Sequence, residues 1–169
     1  LPPPAWRGEG GELLALDAAG TVRWRLQLSP GCQLWPGTGG VLVADDIGGS
    51  RQLLGSLLRR LAPGVRIAEV ADGACVTELH RSLLPDITFL DIGLPNKNGL
   101  EVLREIRALN TRAFVVIVSG QGRGETIAEA LALRVDGYVV KPYSPRRIEE
   151  ALARCRARLK GAAEATAAR

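Results

Sequence analysis

The sequence predicts an α/β fold built on an open parallel sheet. From Val41 onward, short apolar runs alternate with segments whose apolar residues recur at helical spacing, which is typical of repeated βα units. Polar groups directly follow four of the five apolar runs, where a buried strand would end. Because the carboxyl ends of parallel strands line one crevice, these groups are expected to face a common site.

Five apolar runs predict the strands, namely residues 41–44, 65–70, 87–90, 114–118 and 138–140. The second run carries Arg66 and Glu69 among its apolar residues, which suits the edge of a sheet. The fourth run is apolar throughout, which suits the interior.

Helices are predicted at residues 50–61, 73–84, 98–109, 123–134 and 144–160. The apolar stripe of the first consists of Leu54, Leu57, Leu58 and Leu61. Ser50 and Ser144 are predicted as N-caps. Pro145 then falls at the first helical position, where its missing N–H group costs least.

The amino-terminal residues differ in composition and predict an extension over 1–40 that ends in a Pro/Gly linker. Glu12 to Leu16, a turn over 17–20 and Thr21 to Leu28 predict a β-hairpin. A lone hairpin is marginal in water, so it must pack on the α/β unit, pair with another chain or be the remnant of an upstream domain. We expect the main domain at 41–160 and a flexible tail at 161–169.

Composition limits the functional classes. The chain has 169 residues, 46% of them hydrophobic and 24% charged, and no apolar run approaches the roughly 20 residues of a membrane span. The sequence has no secretory signal pattern, and Cys32, Cys75 and Cys155 are widely spaced, so we expect free thiols in the cytoplasm and no membrane insertion.

The charge and the single histidine exclude further classes of site. His80 is the only histidine and is predicted to lie on a helix surface, which argues against a His-rich metal site. The net charge is +4, with many basic residues on the last predicted helix. Glutamates are interleaved with them, so we expect a solvated face and no direct nucleic-acid contact.

Three carboxylates, a hydroxyl and an ammonium group are predicted to meet at the strand ends. They belong to Asp45, Asp46, Asp91, Ser119 and Lys141. Carboxylates brought together raise one another's pKa unless a cation lies among them, and hard oxygen ligands suit Mg²⁺. The pattern therefore indicates a site for Mg²⁺ and a phosphoryl group.

Five separated motifs, over about 70% of the chain, carry a resemblance to a known family. They are Asp45-Asp46, Pro85-Asp86 leading into Asp91-Ile92-Gly93-Leu94-Pro95 with Gly99, Ser119, and Asp136 to Pro142. With these motifs, residues 41–160 resemble the receiver domain of two-component response regulators, as in chemotaxis regulators. The resemblance implies a flavodoxin-like, doubly wound five-stranded sheet of order 2-1-3-4-5.

The resemblance also implies a metal site and a nucleophile. Asp46, Asp91 and the backbone carbonyl of Gly93 would contact Mg²⁺ directly, and Asp45 would act through water. Asp91 would accept a phosphoryl group from a phosphohistidine on a sensor histidine kinase or phosphotransfer protein.

Lys141 and Ser119 would stabilise the charge on the phosphoryl oxygens. The Lys141-Pro142 bond resembles the cis peptide of the family at this position. Ser119 and Tyr138 would act as a switch. They would respond to phosphorylation and change the conformation of the face formed by the fourth helix, last strand and last helix. This face would bind a downstream protein, and the resemblance also allows a dimer.

Three residues depart from the family pattern. Gly93 and Gln121 occupy two positions that tune the lifetime of the phosphoryl group in this family. The lifetime in this chain therefore stays open. Arg134 stands near the end of the fourth helix in place of a capping glycine, and a left-handed conformation there would cost roughly 1 kcal/mol.

Two alternatives stay open beside a separate response regulator. The hairpin is similar to the closing hairpin of histidine-kinase ATPase domains, so the chain could be the receiver portion of a hybrid sensor kinase, although one blade of a propeller fits equally well. A binding scaffold that works without phosphorylation is the second alternative. A phosphatase of the haloacid dehalogenase type is disfavoured, because it needs an aspartate where Gly93 stands. We therefore predict no enzyme beyond Mg²⁺-dependent self-phosphorylation and self-dephosphorylation.

Overall fold

Three antiparallel strands lie near the amino terminus of this computed structural model. They are β1 (Ala5–Glu9), β2 (Glu12–Leu16) and β3 (Val22–Gln27), in the order β1-β2-β3. The structure describes the backbone of these strands, residue 19, and residues 39–120 and 124–167. The turn of the predicted hairpin falls largely outside these ranges, and the hairpin extension stays a prediction.

A five-stranded parallel sheet forms the main part of the fold. Its strands are β4 (Val41–Ala44), β5 (Ile67–Val70), β6 (Ile87–Asp91), β7 (Val115–Ser119) and β8 (Gly137–Val140). They lie in the order β5-β4-β6-β7-β8, and every neighbouring pair is parallel. This confirms the predicted 2-1-3-4-5 order, with β5 at an edge and β7 in the interior.

In the described residues, four helices connect the strands of this sheet and a fifth follows the last strand. They are α1 (Gly48–Leu61), α2 (Gly73–Leu83), α3 (Gly99–Leu109), α4 (Gly124–Ala132) and α5 (Pro145–Ala167). None of the helices within the described ranges is long and apolar enough to cross a membrane.

The helices cover both faces of the sheet, and alternate strand residues point to each. On one face Leu42, Leu90 and Ile117 pack with residues of α2, α3 and α4. On the other, Val43 and Phe89 pack with residues of α1 and α5. Strands buried on both sides must be apolar at nearly every position, which explains the apolar runs.

The structure corrects the N-cap predicted for α1 and the end predicted for the last helix. Ser50 is not an N-cap, because α1 begins two residues earlier and Ile47 occupies the cap position. The last helix does not end at residue 160 but continues to Ala167. The alanines after Gly161 are strong helix formers, which explains the extra turns.

His80 is buried, so the predicted position on a helix surface is wrong. Its side chain is 3% exposed, and Nδ1 lies 3.1 Å from the hydroxyl of Thr88, a buried polar residue of β6. Burial, with a smaller effect of the Arg107 charge, lowers the pKa of His80 to about 4. Its neutral form is therefore the one compatible with the folded core.

Other local predictions agree with the structure. Cys75 and Cys155 are free thiols, and Cys32 lies outside the described residues. Arg134 has a φ of 56°, the left-handed conformation considered for this position. The guanidinium of Arg107 donates to the backbone carbonyls of Leu133 and Arg134 and so holds this turn against α3.

Candidate functional site

Three carboxylates meet at the carboxyl end of the sheet. Asp45 and Asp46 directly follow β4, and Asp91 is the last residue of the neighbouring strand β6. Their oxygen atoms lie within 4.8 Å of one another, with Asp45 and Asp91 buried and Asp46 exposed. Hard oxygen donors at this spacing, open to solvent on one side, fit a hydrated Mg²⁺ ion.

Lys141 reaches the same cluster from the end of β8. Its Nζ atom lies 2.5 Å from Oδ2 of Asp91 and 2.6 Å from Oδ2 of Asp45. Burial acts to lower the pKa of Lys141, but its hydrogen bonds to the two carboxylates outweigh this effect and raise the pKa above its usual value. The ammonium group therefore stays charged. The Lys141-Pro142 peptide bond is cis, as the resemblance to the family implies.

Asp45 accepts hydrogen bonds on both of its carboxylate oxygens. Oδ1 accepts from the backbone N–H of Ile47 at 2.9 Å. Oδ2 contacts the hydroxyls of Ser50 at 2.6 Å and Tyr143 at 2.9 Å, in addition to Lys141. Burial acts to raise the pKa of Asp45, yet these donors together lower it below its usual range.

Ser50 and Tyr143 are site residues that were not predicted from the sequence. Ser50 lies in the first turn of α1, which begins shortly after Asp45, so this closeness was available as a signal. Tyr143 follows the Lys141-Pro142 bond, and its direction toward Asp45 depends on the path of the chain after β8. Burial raises the pKa of the Tyr143 hydroxyl, which keeps it protonated as a donor.

Asp91 is fixed by the loop that follows it. Its Oδ1 accepts the backbone N–H of Gly93 at 3.1 Å. A Cβ atom on Gly99 would lie 2.1 Å from the backbone oxygen of Asp91, so only glycine allows α3 to begin this close. Gly93 is exposed beside the cluster, and a contact between its carbonyl and a metal stays a prediction.

Comparison with known proteins identifies the family. Residues 41–153 match the family model described as the response regulator receiver domain. The chain belongs to this family. It is 31% identical over 113 residues to the chemotaxis protein CheY of Thermotoga maritima. The matched region covers 66% of this chain and 92% of that protein.

Solved receiver structures have the same fold. A DNA-binding response regulator of the LuxR family from Staphylococcus aureus has a TM-score of 0.64 at 29% identity, over 70% of this chain and 98% of that one. The receiver domain of a sensor histidine kinase from Pseudomonas aeruginosa PAO1, with a magnesium ion coordinated in its active site cleft, has a TM-score of 0.62 at 24% identity. The match covers 70% of this chain and 96% of that one.

The two residues predicted to form the receiver switch lie on adjacent strands. Ser119 ends β7 and is buried, and its backbone carbonyl accepts the N–H of Lys141 at 2.8 Å. Tyr138 lies on β8, half-buried against the core on the α4 side of the sheet. Gln121 and its neighbours at 122 and 123 are outside the described residues.

Proposed function

We propose that residues 41–160 form a receiver domain that accepts a phosphoryl group on Asp91. The donor would be a phosphohistidine of a sensor histidine kinase or a phosphotransfer protein. The observation that carries this proposal is the convergence of Asp45, Asp46 and Asp91 with the Lys141 ammonium at one edge of the sheet. This arrangement combines a buried nucleophile, oxygen ligands for a cation and a fixed positive charge.

The transfer requires a carboxylate oxygen of Asp91 to attack phosphorus. An O–P bond forms as the N–P bond of the donor breaks, and the histidine nitrogen keeps the electron pair and takes up a proton. Negative charge is spread over the phosphoryl oxygens in this transition state. Lys141, whose Nζ atom lies 2.5 Å from Oδ2 of Asp91, would stabilise that charge, and Ser119 at the end of the adjacent strand would supply a hydroxyl donor.

Asp46, Asp91 and the backbone carbonyl of Gly93 would hold Mg²⁺ directly, with Asp45 acting through water. The bound ion would supply positive charge that neutralises the carboxylates and the phosphoryl oxygens. The cluster needs such charge, since three carboxylates and one ammonium leave a formal charge of about −2.

Phosphorylation would bias the face formed by α4, β8 and α5. Ser119 would move toward the phosphoryl group and Tyr138 would fill the space behind it, which favours one of two existing conformations. Leu131 on α4 and Val140 on β8 are 61% and 51% exposed, and such apolar residues suit contact with a downstream protein or a second copy. The output would then be protein binding in the cytoplasm, with no substrate turned over beyond the aspartyl phosphate itself.

The test is intact-mass analysis after incubation with Mg²⁺ and a small acyl phosphate. We expect one added phosphoryl group on the wild-type chain and none on Asp91→Asn or without Mg²⁺. Asp72→Asn is a matched control, because Asp72 caps α2 and asparagine caps a helix equally well. This variant should be phosphorylated like wild type. A folded wild-type chain that gains no phosphoryl group, from either the acyl phosphate or a phosphohistidine donor, would instead favour a binding scaffold.

A further inference from the structure

Two hydroxyl groups outside the five polar residues at the strand ends converge on Asp45. Ser50 comes from the first turn of α1 and Tyr143 from the segment after β8. Their oxygens lie 2.6 Å and 2.9 Å from Oδ2 of Asp45 and 2.7 Å from each other. The three side chains thus form a closed triangle beside the carboxylate cluster.

The number of protons limits how this triangle can be bonded. Each hydroxyl has one proton, so two protons serve three short contacts. Asp45 also accepts the Ile47 N–H and the Lys141 ammonium, and the residue is 2% exposed. Both oxygens of Asp45 are therefore occupied by protein donors, which favours contact with a metal through water over direct ligation.

Lys141 is a donor that Asp45 shares with Asp91. Its ammonium is shared between Asp45 and Asp91 at 2.6 Å and 2.5 Å, in the middle of the acidic cluster. A Mg²⁺ ion among the carboxylates would repel this ammonium and a phosphoryl group on Asp91 would attract it, so either would draw the donor away from Oδ2 of Asp45. The two hydroxyls are the donors that the described structure leaves on that oxygen.

We propose that Tyr143 and Ser50 are positioning residues that hold Asp45 in place for Mg²⁺ when Lys141 leaves it. This inference rests on the proposed function. Without the hydroxyls, Oδ2 of Asp45 would depend on Lys141, and the Ile47 N–H on Oδ1 would be the remaining contact that orients the carboxylate. Outer hydrogen-bond partners of metal sites typically change metal affinity by about 10- to 100-fold, and Tyr143→Phe should weaken Mg²⁺ binding by about tenfold.

The experiment is a calorimetric Mg²⁺ titration of the full chain and its variants. Tyr143→Phe and Ser50→Ala should each raise the Mg²⁺ dissociation constant, whereas Ser56→Ala, an exposed position on the same helix, should leave it unchanged. Thermal unfolding without Mg²⁺ shows that each variant is folded. In phosphorylation assays, the Mg²⁺ concentration for half-maximal rate should rise, while the rate at saturating Mg²⁺ stays near that of wild type.

A double-mutant cycle separates a role through Asp45 from a general structural effect. In an Asp45→Asn background, Tyr143→Phe should change the Mg²⁺ dissociation constant by less than about twofold, because the carboxylate on which it acts is gone. An equal loss in both backgrounds would overturn the inference.

The inference and the proposed function fail in distinguishable ways. Wild-type Mg²⁺ affinity in Tyr143→Phe, in a chain that is phosphorylated normally on Asp91, overturns the positioning role and leaves the proposed function standing. A wild-type chain that binds no Mg²⁺ and takes up no phosphoryl group overturns both.

Discussion

Lowering the pH should destabilise this domain through a single buried histidine. His80 is a buried residue of α2, and its Nδ1 atom lies 3.1 Å from the Thr88 hydroxyl. Burial is the main reason that its pKa is lowered from 6.5 to about 4. In the unfolded chain the imidazole regains a pKa near 6.5. Between these values the unfolded chain binds the proton and the folded chain does not, so the free energy of unfolding falls as the pH falls.

The size of the effect follows from the two pKa values. The stability that depends on neutral His80 is complete above about pH 6.5, decreases through the window from 6.5 to 4, and is lost below it. The difference between the pKa values corresponds to about 3 kcal/mol in total, of which about 2 kcal/mol is lost by pH 5.

Urea unfolding of wild type and His80→Gln, followed by circular dichroism from pH 7 to pH 4.5, measures this difference. Carboxylates titrate in both proteins, so their contribution cancels in the comparison. The advantage of wild type over the variant at pH 7 should shrink by about 2 kcal/mol at pH 5.

A second measurement is independent of stability. His80 is the only histidine of the chain, so its ring proton gives an unambiguous resonance in an NMR titration. A folded-state pKa near 6.5, or parallel stability curves for the two proteins, would refute this reasoning.

Three further predictions concern stability, measured by urea unfolding. Gly99→Ala should lower the free energy of unfolding by about 2 kcal/mol or more, because its Cβ would lie 2.1 Å from the backbone oxygen of Asp91. Gly49→Ala is the control and should be neutral or slightly stabilising, because its Cβ would lie more than 4 Å from described atoms beyond its own helix. Arg134→Gly should gain about 1 kcal/mol, since it relieves a left-handed conformation with φ of 56°. Arg107→Met should lower the free energy of unfolding by about 2 kcal/mol or more, since three backbone carbonyls and one carboxylate would lose a charged hydrogen-bond donor.

Each of these predictions has an opposite outcome that would count against it. Equal stability of the Gly99 and Gly49 variants would mean that the loop after Asp91 shifts without cost. A loss of stability in Arg134→Gly would show that the arginine side chain contributes more than the conformation costs. An unchanged free energy of unfolding in Arg107→Met would show that water replaces the guanidinium at the turn after α4.

The order and burial of the strands could be predicted from sequence because the physical signal is strong. A strand covered on both faces has no room for solvated groups, so β7 is apolar from Val115 to Val118 and is found in the interior. The polar residues Arg66 and Glu69 correctly indicated an edge, since only an edge strand has nearby solvent for them. Parallel strands end at the same side, which is why Asp45, Asp46, Asp91 and Lys141 were expected to meet.

The incorrect predictions for His80 and Ser50 arose where a local signal was outweighed by a contact in the fold. His80 is polar and lies on a helix, which suggested the surface, but Thr88 gives it a partner inside the core. Thr88 itself was the missed signal, because a hydroxyl in the middle of a buried strand needs a hydrogen-bond partner. Ser50 has good capping chemistry, yet its hydroxyl is directed to Asp45 instead of the helix end.

The site was only partly predictable from the sequence. Residues at strand ends are positioned by the sheet, so their spacing along the sequence indicates their convergence. Ser50 and Tyr143 reach Asp45 from a helix turn and a loop, 93 residues apart in the chain, and no sequence period relates them. Yet the carboxylate of Asp45, a residue that is 2% exposed, requires donors on both oxygens, and Lys141 is shared with Asp91. The need for additional donors around Asp45 therefore follows from physical chemistry, while their identity follows only from the fold.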